Sequence, residues 1–114
     1  MATAKLVTVI AEAVLTERLT RLVLETGASG YTLSPARGMG SRGLRSTTVV
    51  DGDNIRLEAL MGQTAAASLF DVLARDFFPH YALIAWATEV EVLRGAKFGV
   101  ALLGRDIGEP NGED

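Results

Sequence analysis

The order in which strand-like and helix-like segments follow one another constrains this fold more than any other feature of the sequence. Lys5 to Ile10 is rich in valine and isoleucine, which predicts a strand. Gly27 is expected to end the helix that follows, because glycine takes the left-handed conformation of a helix C-terminus cheaply, and a second strand is predicted from Tyr31. The apolar residues of that helix recur at helical spacing: Leu15, Leu19, Leu22 and Val23.

The second half of the chain repeats this strand-helix-strand order. Apolar and polar residues alternate from Ile55 to Met61, as in a half-buried strand, and only Leu60 breaks the alternation. Thr64 is the predicted N-cap of a second helix, which Pro79 prevents from continuing. A fourth strand is predicted over about Ala82 to Val92. The apolar stripe of the second helix is Ala66, Leu69, Phe70, Leu73 and Phe77.

The order βαββαβ predicts an α+β, ferredoxin-like fold, in which an antiparallel sheet carries both helices on one face. Residues 83–86 form an uninterrupted apolar run, so the fourth strand is expected to be covered by the helices on one face and by another subunit on the other. An oligomer is therefore predicted, with burial inside a monomer as the alternative. Residues 1–103 are expected to form one domain, and residues 104–114 a disordered acidic tail.

Length and composition exclude several classes of function. A chain of 114 residues with 48% hydrophobic content can bury one core without disulfides or a metal. No apolar run is long enough to span a membrane, and Met1 to Val7 does not resemble a secretory signal. We therefore expect a cytoplasmic protein that reaches the inner membrane face only through a partner. With no cysteine and one histidine, His80, neither metal nor thiol chemistry is expected.

Charge is distributed unevenly along the chain. The net charge is -3, yet between Glu25 and Asp51 there is no acidic residue, and Arg37, Arg42 and Arg45 make this segment basic. A single basic patch on an acidic protein suits a compact anionic ligand better than a long phosphate backbone. No nucleic-acid partner is therefore expected.

The basic segment contains a long connection, from about residue 36 to residue 53, between the second and third predicted strands. Within it, Gly38 to Ser46 has three glycines, two arginines and two serines. Glycines let backbone N–H groups approach an anion, and arginines bind phosphate oxygens in a fork. An anion-binding loop is predicted, with a flexible surface loop as the alternative. It is neither a P-loop nor a Rossmann dinucleotide motif, since no Gly-Lys-[Ser/Thr] follows and no helix begins there.

The string Gly27-Ala28-Ser29-Gly30-Tyr31-Thr32, followed by the Gly38–Ser46 loop, resembles the PII-like signalling proteins. The similarity is greatest to their SbtB branch and the carboxysome-associated PII proteins, and it covers about Lys5 to Gly95. It implies a ferredoxin-like homotrimer that binds AMP, ADP, ATP or cyclic AMP in clefts between subunits. The 36–53 loop would correspond to the family's T-loop, which closes over the phosphates.

The resemblance also implies a regulatory role rather than an enzymatic one. The state of the bound ligand would set the conformation of the T-loop, and a partner would respond to that conformation. In the relatives the partner is a bicarbonate transporter or another component of the carbon-concentrating mechanism, and the carboxysome-associated proteins also respond to bicarbonate. A membrane transporter or a carboxysome-related protein is therefore the expected partner.

Residue by residue, the resemblance assigns the phosphates to the long loop. Arg42 and Arg45 match the phosphate-binding arginines of the family. Gly40 and Ser41 lie beside them and would supply backbone and hydroxyl donors, and Gly38 begins the same stretch. In the place of the usual lysine this sequence has methionine at position 39, which removes one cation and leaves open how many phosphates the loop prefers.

The adenine base is assigned to other parts of the chain. Ser29 and Gly30 match positions near the adenine, and Ala82 and Leu83 fall in the strand that lines it. Leu83 stands where glycine is common in SbtB, so the base pocket is expected to be narrower. Arg94 lies near the cleft and could reach phosphate or bicarbonate. The cysteine pair found in many SbtB proteins is missing, and nothing supports 2-oxoglutarate sensing or uridylylation.

Some other residues are assigned no chemistry, and two further functional classes stay open. His80 is interpreted as a polar turn residue, Glu89 and Glu91 as solvated strand residues, and Trp86 as core or subunit interface. An RNA-binding module shares the βαββαβ order but stacks bases on sheet aromatics, for which this sequence offers mainly Tyr31. Slow nucleotide hydrolysis in the cleft is the third class.

Overall fold

The computed structural model describes residues 2–38 and 53–93, and within them the elements follow the predicted βαββαβ order. The α+β fold class is therefore confirmed. A short 3-10 turn precedes the first helix, and a π-helical turn, Leu73–Phe77, extends the second. The strands are β1 (Ala2–Glu12), β2 (Thr32–Ala36), β3 (Asn54–Met61) and β4 (Ile84–Val92), and the helices are α1 (Thr16–Thr26) and α2 (Gln63–Val72).

The four strands form one antiparallel sheet in the order β2-β3-β1-β4, as in a ferredoxin-like fold. Val9 in β1 is paired with Leu57 in β3 and with Ala85 in β4. The neighbouring Thr8 is paired with Glu58 and Trp86. Since successive side chains point to opposite faces of a strand, these two rows lie on opposite faces of the sheet.

The main core lies between the sheet and the two helices. Leu19 and Val23 of α1 are buried at the spacing that predicts a helix, and Leu69 of α2 is fully buried. They meet side chains from alternate positions of the two central strands. The buried strand residues of this cluster are Val7, Val9, Ala11, Leu57, Ala59 and Met61.

The other face of the sheet, which we call the open face, carries no helix among the described residues. A small second cluster lies here, in which Ala2, Ala4 and Val92 are buried and Leu60 and Val90 pack against them. Leu60 breaks the alternation in the sequence because it belongs to this cluster. None of the helices in residues 2–38 and 53–93 is long and apolar enough to cross a membrane.

The apolar run at the start of β4 is divided between the two faces. Leu83 and Ala85 pack against the main core, whereas Ile84 is 58% exposed and Trp86 is 40% exposed. The alternative that a monomer buries both faces of this strand is therefore not met in the part of the chain that the structure describes.

The helix ends follow the predictions at Gly27 and differ from them at Thr64. Gly27 has a φ of 132°, and the N–H of Ala28 donates to the carbonyl of Val23 at 3.0 Å, as in a Schellman motif. The prediction that Thr64 caps α2 is wrong, because the N-cap is Gly62 and no side chain caps it. β3 ends at Met61, so a single extended residue connects the strand to the helix.

Candidate functional site

The described residues contain half of the ligand-binding positions predicted from the sequence. Gly40, Ser41, Arg42, Arg45 and Arg94 lie outside them. The phosphate-binding part of the predicted site therefore stays a prediction. The other five positions are Ser29, Gly30, Gly38, Ala82 and Leu83.

Gly38 lies at the end of the sheet from which the long loop starts. Ala36, the last residue of β2, is paired with Asn54, the first residue of β3, and Asn54 is also paired with Glu12 at the end of β1. The loop returns at Asp53, whose carbonyl accepts a hydrogen bond from the N–H of Ala13. The two ends of the loop are therefore held together at one end of the sheet.

Ala82 and Leu83 lie at the same end of the sheet as Gly38. They immediately precede Ile84, which is paired with Ile10 near the end of β1. Both residues are half-buried, and Leu83 packs against the main core. The entry into β4 and the base of the 36–53 loop are thus on the same side of the molecule, with β1 and β3 between them.

Ser29 and Gly30 lie elsewhere, beside the opposite edge of the sheet. They precede Thr32 of β2, whereas Ala82 and Leu83 precede β4, and β2 and β4 are the two edge strands. Three strand spacings of about 4.8 Å, or roughly 14 Å, separate these edges. One copy of the chain does not bring the two predicted base-binding pairs together, so a site that uses both needs residues from two copies.

A cluster of aromatic and charged side chains adjoins Ala82 and Leu83. Arg18 of α1 donates a hydrogen bond to the hydroxyl of Tyr81, with an Nη1 to Oη distance of 2.9 Å. Its guanidinium carbon lies 4.7 Å from the centre of the Phe77 ring and 5.5 Å from that of Tyr81. Arg18 is not among the site residues predicted from the sequence. The available signal was the aromatic pair Phe77 and Tyr81 at a spacing of four residues.

The electrostatics of this region centre on an exposed ion pair. Arg75 donates two hydrogen bonds to the carboxylate of Asp76, at 3.0 and 3.1 Å. These bonds are the main reason why the pKa of Asp76 lies below its ordinary value, and the nearby charges of Arg18 and His80 lower it further. The same hydrogen bonds raise the pKa of Arg75.

The residues that were assigned no chemistry lie in ordinary environments. His80 is exposed in the turn before β4, and its N–H donates to the carbonyl of Phe77. Glu89 and Glu91 are both exposed on β4. Tyr31 lies before β2 and not in the sheet, contrary to the expectation from the sequence. The aromatic side chain of the four described strands is Trp86 in β4. Within residues 2–38 and 53–93, no three histidines or carboxylates are grouped as a metal site would require.

Comparisons with known proteins agree with this architecture. The family model described as nitrogen regulatory protein P-II matches residues 4–97. A Thermus thermophilus protein described as PII-like signaling is 46% identical in sequence, with a TM-score of 0.73, over 85% of this chain and 96% of that one.

CPII from Thiomonas intermedia is a more distant similar structure. In its complex with ADP and bicarbonate it is 25% identical, with a TM-score of 0.73, over 84% of this chain and 94% of that one. A second CPII structure, bound to ADP, AMP and acetate, is 23% identical over 85% of this chain and 95% of that one, with a TM-score of 0.71. At this identity the second likeness concerns the fold alone.

Proposed function

The chain belongs to the nitrogen regulatory protein P-II family, and we propose that it is a regulator that senses adenine nucleotides in clefts between three copies of itself. One observation carries this proposal. The residues assigned to the adenine base, Ser29 and Gly30 on one side and Ala82 and Leu83 on the other, lie beside opposite edge strands. A cleft between two copies can join one edge to the other, and a homotrimer forms three such clefts.

The proposed ligand is AMP, ADP or ATP, with cyclic AMP as a further candidate. Arg42 and Arg45 are proposed to bind the phosphates in a fork, with further donors from Gly40, Ser41 and Arg94. CPII, which is bound to ADP and bicarbonate in one of its structures, supports both a nucleotide and bicarbonate as ligands of this chain. Binding of these ligands requires no metal and no covalent step.

The proposed output is a change in the 36–53 loop that a partner protein detects. Both ends of this loop are held at one end of the sheet through the Ala36–Asn54 pair and the Ala13–Asp53 hydrogen bond. A ligand bound beside this base can favour one loop conformation over others to the extent that it binds them unequally. The partner is proposed to be an inorganic-carbon component, either a bicarbonate transporter or a carboxysome-related protein, reached from the cytoplasm.

The RNA-binding alternative is not favoured by the sheet. An RNA-binding module of this topology stacks bases on aromatic side chains of its exposed sheet face. On the open face, the central strands carry Thr8, Ile10, Arg56 and Glu58, and the last two form an ion pair at 3.3 Å. Among the described strand residues, the aromatic side chain of this face is Trp86 on an edge strand.

Calorimetric titration of the purified protein with AMP, ADP, ATP and cyclic AMP tests the proposed function. We expect micromolar binding of at least one nucleotide and a loss of more than tenfold in affinity in Arg42→Ala or Arg45→Ala, since each removes a charge-assisted phosphate contact. Arg21→Ala, on the exposed side of α1, is the matched control and should bind like the wild type. Undetectable binding by the wild-type protein contradicts the proposal.

A further inference from the structure

Arg18 connects the first turn of α1 to the segment that leads into β4. One planar guanidinium group makes three contacts there: a hydrogen bond to the Tyr81 hydroxyl at 2.9 Å, and cation–π contacts with Phe77 and Tyr81 at 4.7 and 5.5 Å. A planar group that stacks on aromatic rings and also donates a hydrogen bond in its own plane fixes the orientation of the partner side chain as well as its distance from the group.

The aromatic side of this connection is anchored in the core. Phe77 is buried, and its ring centre lies 6.1 Å from that of Tyr81. The N–H of Tyr81 donates to the carbonyl of Phe77 at 2.9 Å, and the His80 ring stands edge-on to Tyr81. Tyr81 is thus held through its backbone, its ring and its hydroxyl, and the next two residues along the chain are Ala82 and Leu83.

We propose that Arg18 is a positioning residue for ligand binding, which acts through Tyr81 to hold Ala82 and Leu83 in the place where the adenine base binds. This inference rests on the proposed function, which assigns the base to those two residues. The guanidinium of Arg18 contacts the aromatic pair directly, so it serves the base end of the ligand rather than the phosphate end. Loss of Arg18 should then lower the affinity for every adenine ligand by the same factor, whatever its number of phosphates.

Three substitutions separate the parts of the contact. Arg18→Met keeps a long side chain but removes the charge and the donors, Arg18→Lys keeps the charge without the planar fork, and Tyr81→Phe removes only the hydroxyl. Arg21→Met, on the same helix, is the matched control. Dissociation constants for adenosine, AMP and ADP are measured by calorimetry, at a temperature where circular dichroism shows that each variant is folded.

A positioning role predicts the same loss for all three ligands. We expect Arg18→Met to lower the affinity for adenosine, AMP and ADP by a common factor of about tenfold, because the hydrogen bond and the cation–π contacts are lost together. Arg18→Lys should not restore the affinity, because an ammonium group lacks the planar shape that lets a guanidinium stack on the rings and donate a hydrogen bond to the Tyr81 hydroxyl at once. Tyr81→Phe should lower the affinity for each ligand about threefold, and Arg21→Met should bind the ligands like the wild type.

Other results overturn the inference and can be told apart. If the loss of affinity in Arg18→Met grows from adenosine to ADP, and Arg18→Lys restores the affinity, Arg18 contacts the phosphates directly. Unchanged affinity in Arg18→Met contradicts the positioning role and leaves the proposed function standing. Wild-type protein that binds no adenine ligand contradicts both. If Arg18→Met does not fold, Tyr81→Phe decides, since unchanged or phosphate-dependent affinity in that variant overturns the proposal.

Discussion

The two faces of the sheet differ in how completely one copy of the chain buries them. On the helix-covered face, Val9 and Leu57 of the central strands are buried beneath α1 and α2. On the open face, Thr8 is buried between its strand neighbours, but Ile84 and Trp86 on β4 are exposed. Both faces have apolar side chains, and only the first is covered by elements of the described chain.

The difference follows from the connections between the elements. Each helix follows a central strand after a short connection, so βαβ connections bring both helices onto the same face. Within residues 2–38 and 53–93, neither helix covers the other face. Exposed large apolar side chains on a sheet mark a surface for association, and this supports the proposed oligomer. The covered face therefore holds the described chain together, and the open face is the surface proposed to pack against other copies.

The largest effect on stability is expected from the covered face. Leu69→Ala removes a fully buried side chain between α2 and the sheet, and should lower the free energy of unfolding by about 2–5 kcal/mol. Urea unfolding at one fixed protein concentration measures it, because dissociation contributes to the stability of an oligomer. Leu24→Ala, which alters an exposed residue of α1, is the control and should cost less than about 0.5 kcal/mol. Equal losses would show that the covered face is not the main core.

The open face should respond through association rather than folding. Trp86→Glu replaces an exposed aromatic side chain with a charge and should weaken association by about 2 kcal/mol or more per contact, as is typical of interface tryptophans. Sedimentation analysis should then find monomers where the wild type forms trimers, while the far-ultraviolet circular dichroism is kept. Glu89→Gln, exposed on the same strand, is the control. If the wild type is monomeric, or if Trp86→Glu still forms trimers, the open face is not the surface through which copies associate.

The elements of the covered face could be predicted because their signals are local. The spacing of Leu19 and Val23, and a glycine where a positive φ is required, are properties of short segments. The start of α2 was predicted wrongly at Thr64, since a cap is favoured by side-chain chemistry but not required when the chain passes from strand to helix through Gly62. Local patterns thus predict where elements exist better than where they begin.

The candidate site could be predicted only in part, because its remaining features depend on residues far apart in the sequence. The resemblance indicated Ser29 and Ala82, but their separation by the width of the sheet follows from the strand order. The contact between Arg18 and Tyr81 joins residues 63 positions apart, and the spacing of Phe77 and Tyr81 indicates the aromatic pair but not its partner in α1. Such contacts follow from the packing of the whole domain and are not visible in any one segment.

A smaller effect is expected at the junction where α1 leaves the covered face. Gly27 has a φ of 132°, and a Cβ atom there would lie 3.1 Å from the Cβ of Ala65. Gly27→Ala should therefore cost about 1–2 kcal/mol of unfolding free energy, from the unfavourable backbone conformation and the close contact. Gly30→Ala is the matched control, since its Cβ would meet no atom within 4 Å. Equal costs in a thermal unfolding experiment would contradict this explanation.

The smallest effect is expected at the exposed ion pair of Arg75 and Asp76, in the π-helical turn that extends α2. Hydrogen bonds from Arg75 lower the pKa of Asp76 below its ordinary 3.8. A carboxyl group whose pKa is depressed by folding contributes stability that is present above the ordinary value and is lost as the pH falls through the depressed one. Asp76→Asn should therefore lower the unfolding midpoint only slightly near neutral pH, and the difference should vanish below the pKa of Asp76. Because both side chains are exposed, water and salt screen the pair, and high salt should also remove the difference. A shift in midpoint as large as that of Gly27→Ala would mean that this pair supports the covered face, which its exposure argues against.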